Sequence, residues 1–309
     1  MLWLDATNPD SYPGTGLTWF DRSANASHGA LTGPSVSAIT FDAVNGALNF
    51  PGGVNGSAYL DLPGNFRDFS HGVTLEFEGH FGSLTDWERI LDFAQTTAPH
   101  GGIAANSMFV SRLWNTKELT IELHDGATSL GHCHTATDNT AIAAGATFQK
   151  WLITIDNAGL CRIYRDGTEL PTRFNNVPSP FVTTSAGANL AGSVLALPPV
   201  ADRTLAFVGR SNWPVDSDLE GSIRYIRLFD RALTPTQVQA VSTATVTFDA
   251  NGGVGAMAPQ SSTVSATPLL TARVSPTSTV RHTRSRPTPP CTYSGVSSRV
   301  LCPSRRCHR

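Results

Sequence analysis

Residues 151–167 limit the fold more narrowly than any other part of the chain, because they contain two β-turn signals between alternating strands. Side chains alternate over 151–156, which places Trp151, Ile153 and Ile155 on one face of a strand. Residues 156–159 (Asp-Asn-Ala-Gly) then turn the chain, so that 160–164 return antiparallel. Asp166-Gly167 predicts a further type I′ turn, since both of its central positions need positive φ. This segment therefore predicts an antiparallel sheet.

Alternating runs recur along the chain at intervals of roughly 10 to 25 residues, with no amphipathic helix between them. Parallel strands would require crossover helices, so the pattern predicts two packed antiparallel sheets. The further runs are 58–62, 73–81, 119–123, 205–208 and 223–229.

One short helix is also predicted near the end of this region. Thr234-Pro-Thr-Gln237 has the form of a capping box with proline at the first helical position. We expect about two turns, ending near Val241.

The distribution of charge and the lengths of the apolar runs each exclude one class of function. The last 36 residues, 274–309, contain seven arginines and no Asp or Glu, which leaves residues 1–273 with 15 basic against 24 acidic side chains, a net of −9. A body this acidic predicts no nucleic-acid partner. No apolar run reaches about 18 residues, so we also predict no membrane insertion.

The cysteines and the N-terminus give little information about the compartment. Residues 1–6 lack the features of a signal peptide. We expect an internal piece of a larger exported protein, the alternative being a cytosolic chain. Of five cysteines, Cys133 and Cys161 lie in the body, and no spacing suits structural zinc. Whether these two meet cannot be read from the sequence.

Three ordered motifs resemble one family. Residues 208–238, beginning Val-Gly-Arg-Ser-Asn-Trp, resemble the closing segment of laminin-G-like (concanavalin A-like) modules of bacteria and phages. Residues 87–93 resemble a strand of these modules, and residues 2–14 together with 18–23 resemble their opening. The resemblance covers about 1–241 and implies an all-β, two-sheet antiparallel jelly-roll sandwich with one short C-terminal helix. Such modules bind sugars, proteins or no known ligand.

A second resemblance follows the first domain. Residues 246–260 are similar to the start of an internalin-type B-repeat, but the aromatic-rich second half of that repeat is missing. We therefore divide the chain into 1–241 (laminin-G-like domain), 242–273 (incomplete B-repeat) and 274–309 (a disordered Arg/Pro/Ser/Thr tail). The amino-acid composition of that tail suggests a frameshift or truncation of the coding sequence. The alternative is a genuine arm that binds nucleic acid or heparin.

Some sandwiches of this kind hydrolyse glycans with paired carboxylates, so two acidic side chains on one strand face are candidate catalytic residues. Glu76 and Glu78 share one face of a predicted strand, as the two acids of a glycoside hydrolase would. A third acid expected from the pattern of those enzymes is absent, because His80 occupies the corresponding position. The other interpretation, which we also apply to Glu118 and Glu122, is a solvated outer sheet face.

Histidines and aspartates raise the question of a metal. His132 and His134 share a strand face near His124, which fits either part of a metal site or a polar face, with Cys133 turned inward. Asp216 and Asp218 supply two carboxylates in a loop and could hold Ca²⁺, as sandwiches of this kind often do. The alternative is that both aspartates bind turn backbone.

Aromatic side chains in predicted loops are candidates for sugar stacking. Trp213 lies beside Asn212 in the loop that carries the two aspartates, and Trp87 and Trp114 are further candidates. Trp151 alternates with isoleucines and is predicted to be core. Trp213 could equally pack on its own loop.

The favoured function is a non-catalytic carbohydrate-binding or adhesion module of a bacterial extracellular or surface protein, with a glycan or cell-surface ligand. A glycoside hydrolase using Glu76 and Glu78 is the first alternative. A ligand-free spacer in a modular or phage-tail protein is the second.

Overall fold

A computed structural model describes residues 1–83, 85–95, 105–125, 128–137, 139–143, 145–175, 182–184, 195–197, 200–213, 215–246 and 260–263. Within these residues the chain forms twenty strands, a 3-10 turn at Val36–Ala38 and one α-helix, α1, at Pro235–Ser242. The strands are β1 Leu2–Asp5, β2 Thr18–Trp19, β3 Gly29–Thr32, β4 Thr40–Asp42, β5 Ala47–Pro51, β6 Tyr59–Leu62, β7 Val73–Phe81, β8 Arg89–Gln95, β9 Ala105–Arg112, β10 Leu119–Asp125, β11 Thr128–Thr135, β12 Gln149–Ile155, β13 Cys161–Arg165, β14 Thr168–Glu169, β15 Thr172–Asn175, β16 Val182–Thr184, β17 Leu205–Val208, β18 Glu220–Phe229, β19 Thr243–Val246 and β20 Gln260–Thr263.

Two antiparallel sheets build the sandwich. The eight-stranded sheet has the order β14-β13-β12-β7-β18-β5-β4, and β1 pairs with the free part of β18. The ten-stranded sheet has the order β16-β15-β11-β10-β9-β8-β17-β6-β3-β2. The fold is a jelly-roll sandwich, and the prediction of two packed antiparallel sheets is confirmed.

The hairpins predicted from residues 151–167 are present. Strand β12 pairs with β13, and β13 pairs with β14 across Asp166-Gly167, where φ is 51° and 81°. Positive φ at both positions is the type I′ geometry, whose twist matches that of the flanking strands.

A single main core fills the space between the sheets. Trp151 is buried, as its alternation predicts, and its ring stacks on Phe77 of the neighbouring strand β7 at a centroid distance of 6.4 Å. Each large apolar side chain buried in this way contributes about 1.5–3 kcal/mol relative to leaving it exposed.

Helix α1 begins with the predicted capping box. The backbone N–H of Thr234 donates to Oε1 of Gln237 (2.9 Å), and the N–H of Gln237 donates to Oγ1 of Thr234 (3.3 Å). The helix packs Val238 against a small cluster on the outer face of the eight-stranded sheet that includes Leu152 and Tyr164. Of the helices in the described part of the chain, none has the length and apolar character needed to cross a membrane.

The prediction that Glu76 and Glu78 lie on a solvated sheet face is wrong. Glu76 and Glu78 of β7 do share a face, but that face is not solvated: their exposures are 0% and 3%. Lys150 Nζ lies 2.8 Å from Glu76 Oε1, and an arginine, Arg224, pairs with Glu78. Buried carboxylates are stable only when compensated in this way, so the region serves to hold strands together.

The C-terminal part contributes little to the described structure. Strands β19 and β20 pair antiparallel, from Thr243↔Thr263 to Val246↔Gln260. The rest of the predicted B-repeat segment 242–273 and the whole tail 274–309 lie outside the described residues.

Candidate functional site

A row of charged, imidazole and aromatic side chains crosses the outer face of the ten-stranded sheet. The strand registers pair Asp92 with Phe109, Phe109 with Glu122, and Glu122 with His132, so one residue from each of β8, β9, β10 and β11 lies in line. Their chain neighbours, such as Leu91, point into the core. The alternation that builds the core therefore also assembles this row.

Arg89 is the buried cation that pairs with two carboxylates at one end of this row. It is 1% exposed, its Nε lies 3.3 Å from Asp92 Oδ2, and its Nη2 pairs with Asp216 Oδ2. The guanidinium also lies over the ring of Phe109, 3.9 Å from the centroid. The register of β8 shifts between Arg89 and Leu91, which allows both Arg89 and Asp92 to reach the same face.

These buried ions hold a loop against the sheet. Asp92 accepts hydrogen bonds from the backbone and the side-chain amide of Asn212, and Asp216 accepts one of 3.1 Å from Ser211 Oγ. The Ser211 hydroxyl in turn accepts the N–H of Trp213 at 2.9 Å. Because every member is bonded to the next, the backbone of Trp213 is held against the sheet beneath it.

A cleft of about 270 Å³ opens between this loop and the sheet. We call it the aromatic cleft. It is lined by Trp87, Arg89, Phe109, Glu122, Trp213, Val215 and Asp216.

Two rings of the cleft, those of Phe109 and Trp213, pack with the imidazole of His124, which is not one of the lining residues. Phe109 is stacked on His124 at a centroid distance of 5.7 Å with 13° between the planes. Trp213 meets both of these rings edge-on, at 6.5 Å from Phe109 and 5.7 Å from His124. Such pairs are rigid apolar surfaces that need little ordering when a ligand arrives.

Two buried polar atoms of the cleft residues have no hydrogen-bond partner within the described structure. They are Oε1 of Glu122, whose residue is 6% exposed, and the indole Nε1 of Trp213. The other carboxylate oxygen of Glu122 is 3.2 Å from Nε2 of His124. A buried acceptor and a buried donor left unpaired cost free energy, so both atoms gain if a partner reaches them.

Trp87 and Trp114 both occupy the left-handed region, with φ of 54° and 51°. This backbone is strained for bulky residues, and such strain clusters at functional sites. Buried arginines stabilise both turns, because Arg89 Nη1 donates to the carbonyl of Trp87 (3.1 Å) and Arg112 Nη2 to that of Trp114 (3.0 Å). The two indoles meet edge-to-face at 6.2 Å, and Trp114 is 60% exposed.

Burial shifts the pKa of several groups around the cleft. It raises the pKa of Asp216, although Arg89 opposes the shift. It lowers the pKa of His132, which keeps the imidazole neutral, whereas Glu122 opposes this shift. The pKa of Glu88, at the base of the Trp87 turn, rises to about 7 because burial outweighs the attraction of Arg112.

The aspartates proposed for calcium make other contacts. Asp218 accepts the backbone N–H groups of Gly56 (3.1 Å) and Ser57 (2.7 Å), and Asp216 is paired with Arg89. Among the described residues no group of three or more His, Cys, Asp or Glu side chains is placed to hold a metal ion, and this includes the histidines of β10 and β11. Asp218 thus binds backbone, though of a distant loop and not of its own turn, and Asp216 binds side chains. A calcium site stays a prediction.

The structure thus brings some of the predicted residues together and separates others. Trp213 and Trp87 line the aromatic cleft, Asn212 anchors its loop from below, and Trp114 contacts Trp87 without lining the cleft. Sequence reasoning missed Phe109 and assigned Glu122 to a solvated face, whereas the latter is buried.

Comparison with solved structures supports the fold. The chain is similar to a botulinum neurotoxin serotype D/C binding domain (TM-score 0.52, 12% identity). It is also similar to the botulinum neurotoxin DC binding domain in complex with rat synaptotagmin II (TM-score 0.50, 12% identity). A third similar structure is that of a botulinum neurotoxin type C, a toxin whose cell entry depends on interaction with two ganglioside molecules (TM-score 0.50, 11% identity). In each case 78% of this chain and 50% of the other chain are covered, so the chain spans about half the length of these structures.

No protein-family model matches the sequence. No curated protein matches it either. At these identities the structural likeness establishes the jelly-roll sandwich and nothing finer, so the laminin-G-like and B-repeat assignments stay predictions.

Proposed function

We propose that this chain is a non-catalytic carbohydrate-binding module and that the aromatic cleft is its binding site. The observation that carries the proposal is the pair of unpartnered buried atoms, Glu122 Oε1 and Trp213 Nε1, in a cleft walled by three aromatic rings. This donor and acceptor lie among apolar surfaces that are already packed in place.

A sugar ring matches both features. Its C–H face packs against aromatic rings, while its hydroxyls both donate and accept hydrogen bonds. One hydroxyl would donate to Glu122 Oε1, and another would accept from Trp213 Nε1. The cleft volume of about 270 Å³ lies at the lower end of small-ligand sites, which favours a single sugar unit at the tip of a chain.

The comparisons are compatible with this proposal without deciding it. One similar protein, a botulinum neurotoxin type C, depends on gangliosides for cell entry, and another, a botulinum neurotoxin DC binding domain, is in complex with synaptotagmin II. The chemistry of the cleft favours the glycan here. We accordingly place the module in an extracellular or surface protein, where adhesion would be its role.

The test is a glycan array followed by calorimetry on the best-bound glycan. Glu122→Gln replaces the unpartnered acceptor, and Trp213→Phe removes the indole donor while keeping a ring. We expect Glu122→Gln to weaken binding about tenfold or more, since a hydrogen bond to a charged group contributes about 1.5–3 kcal/mol. Trp213→Phe should weaken binding about two- to tenfold, since a hydrogen bond between neutral groups contributes about 0.5–1.5 kcal/mol.

Matched controls lie on the other sheet. Glu169→Gln removes the same charge from β14, and Trp3→Phe makes the same ring change in β1, so both should bind like the wild type. A folded wild type that binds no glycan, or equal loss in variants and controls, would contradict the proposal. A parallel array in EDTA tests calcium, and binding should persist there because Asp216 and Asp218 are already bonded within the protein.

A further inference from the structure

Two cysteines meet between the sheets. Cys133 lies on β11 of the ten-stranded sheet and Cys161 on β13 of the eight-stranded sheet, and their exposures are 0% and 2%. Both thiols are free in this structure, and Cys133 lies close enough to Cys161 to contribute to the rise in the pKa of the Cys161 thiol. Two strands that belong to different layers of the fold thus present their sulfurs to each other.

The layers come unusually close at this place. Cα atoms of β11 and β13 approach within 8 Å, whereas stacked sheets normally lie about 10 Å apart. A disulfide needs its two Cα atoms about 4.4–6.8 Å apart, so a local approach of this kind is the condition under which two facing sheets can be bridged. Elsewhere in the core, large side chains such as the stacked Phe77 and Trp151 fill the space between the layers.

We propose that Cys133 and Cys161 form a disulfide that joins the two sheets when the chain folds in an oxidising environment. In this step both S–H bonds break and one S–S bond forms. The two electrons reduce a small-molecule disulfide such as oxidised glutathione to two thiols, and the two protons are taken up by the thiolates so released. The inference does not depend on the proposed function.

Burial determines when the bond can form. No small oxidant reaches sulfurs that are covered on both sides, and burial raises the pKa of the Cys161 thiol, which suppresses the reactive thiolate. The bond therefore forms during folding, before the layers close, and once formed it resists reduction. The loop it closes has about 30 residues, for which the expected rise in Tm is about 5–10 °C.

The experiment is refolding of the full chain from denaturant, once in a glutathione redox buffer and once with reductant. Free thiols are then alkylated, and the protein is digested without reduction for mass spectrometry. We expect the oxidised sample to contain one cross-linked pair of peptides that carries Cys133 and Cys161, and its Tm to exceed that of the reduced sample by about 5–10 °C.

The three tail cysteines provide the control. A variant with Cys291→Ser, Cys302→Ser and Cys307→Ser removes the competing thiols and should give the same cross-link and the same rise in Tm. The proposal is overturned if both core cysteines are recovered alkylated, or if they are linked to tail cysteines. Peptide mapping of the wild type decides this even if replacing a core cysteine prevents folding.

The folded reduced protein gives a second, independent readout. A thiol reagent added without denaturant should leave both core cysteines unmodified, and oxidised glutathione added at that stage should form the cross-link far more slowly than during refolding. Rapid cross-linking of the folded protein would contradict the proposed order of events.

Discussion

Asn212 donates two hydrogen bonds to Asp92, one from its backbone N–H and one from its side-chain amide, and both are 2.9 Å long. Asn212 is only 1% exposed and fastens the loop of Trp213 to the sheet, whereas its contact with a ligand stays a prediction. We expect its effect on binding to be indirect.

The first prediction follows from this contact. Asn212→Ala leaves an oxygen of the buried Asp92 without its donor and should lower the free energy of unfolding by about 1–3 kcal/mol. It should also weaken glycan binding, because the loop loosens. Urea unfolding and calorimetry measure the two effects, with Trp213→Phe as the variant expected to lose binding while keeping most of its stability. Loss of binding by Asn212→Ala at unchanged stability would mean that Asn212 contacts the ligand after all.

The second prediction concerns backbone strain at Trp114, where φ is 51° and the side chain is 60% exposed. Trp114→Gly and Trp114→Ala both remove the ring, but only glycine adopts this backbone without a steric penalty. We expect the glycine variant to be about 1 kcal/mol more stable than the alanine variant in chemical denaturation. Equal stabilities would show that the turn relaxes to negative φ once the indole is gone.

Local signals predicted much of the fold. The turn at Asp166-Gly167 and the capping box of α1 depend on residues within a few positions of each other, so their geometry can be read from the sequence. The order of strands in each sheet was not predicted, because it depends on pairings between distant segments such as β7 and β18.

The site was only partly predictable for a related reason. Trp213 and Trp87 could be chosen because they lie in loop-like sequence. Phe109 and Glu122 could not, because they become neighbours only through the register of β9 and β10. Alternation with core residues marks Glu122 as outward-facing, but nothing local shows that residues such as Trp213 and Asp216 cover that face.

The third prediction tests the buried carboxylate of Glu76. Lys150 Nζ is 2.8 Å from its Oε1, Arg227 Nη1 is 3.6 Å from its Oε2, and Tyr225 donates a hydrogen bond to it. Glu76→Gln removes the compensating charge from these groups and should cost about 3–5 kcal/mol of stability in urea unfolding.

A surface pair is the matched control for this variant. Glu169 pairs with Arg162 at the same distance, 2.8 Å, but with side chains 22–23% exposed, so Glu169→Gln should cost less than about 1 kcal/mol. The wild type should release no reducing sugar from β-glucans, because a carboxylate that is fully covered and paired does not reach a substrate. Sugar release that disappears in a folded Glu76→Gln variant would restore the hydrolase alternative.

The last prediction is a dependence of stability on pH through His134. Burial, followed by His132 and Arg173, lowers the pKa of His134 to about 4, against the opposing effect of Glu122. In the unfolded chain the imidazole takes up a proton near pH 6.5. The contribution of His134 to the free energy of unfolding is therefore fully present above pH 6.5 and is lost as the pH falls toward 4. At pH 5 the free energy of unfolding should be lower by about 2 kcal/mol.

The protonation of other groups changes stability in the opposite direction as the pH falls, so the measurement must isolate the contribution of His134. The raised pKa of Glu88, about 7, stabilises the folded state as the pH falls, since the folded chain takes up that proton first. Urea unfolding of the wild type and of His134→Gln at pH 8 and pH 5 removes this contribution by difference. The wild type should lose about 2 kcal/mol more than the variant between the two pH values. Parallel losses would mean that His134 takes up its proton in the folded protein as readily as in the unfolded chain.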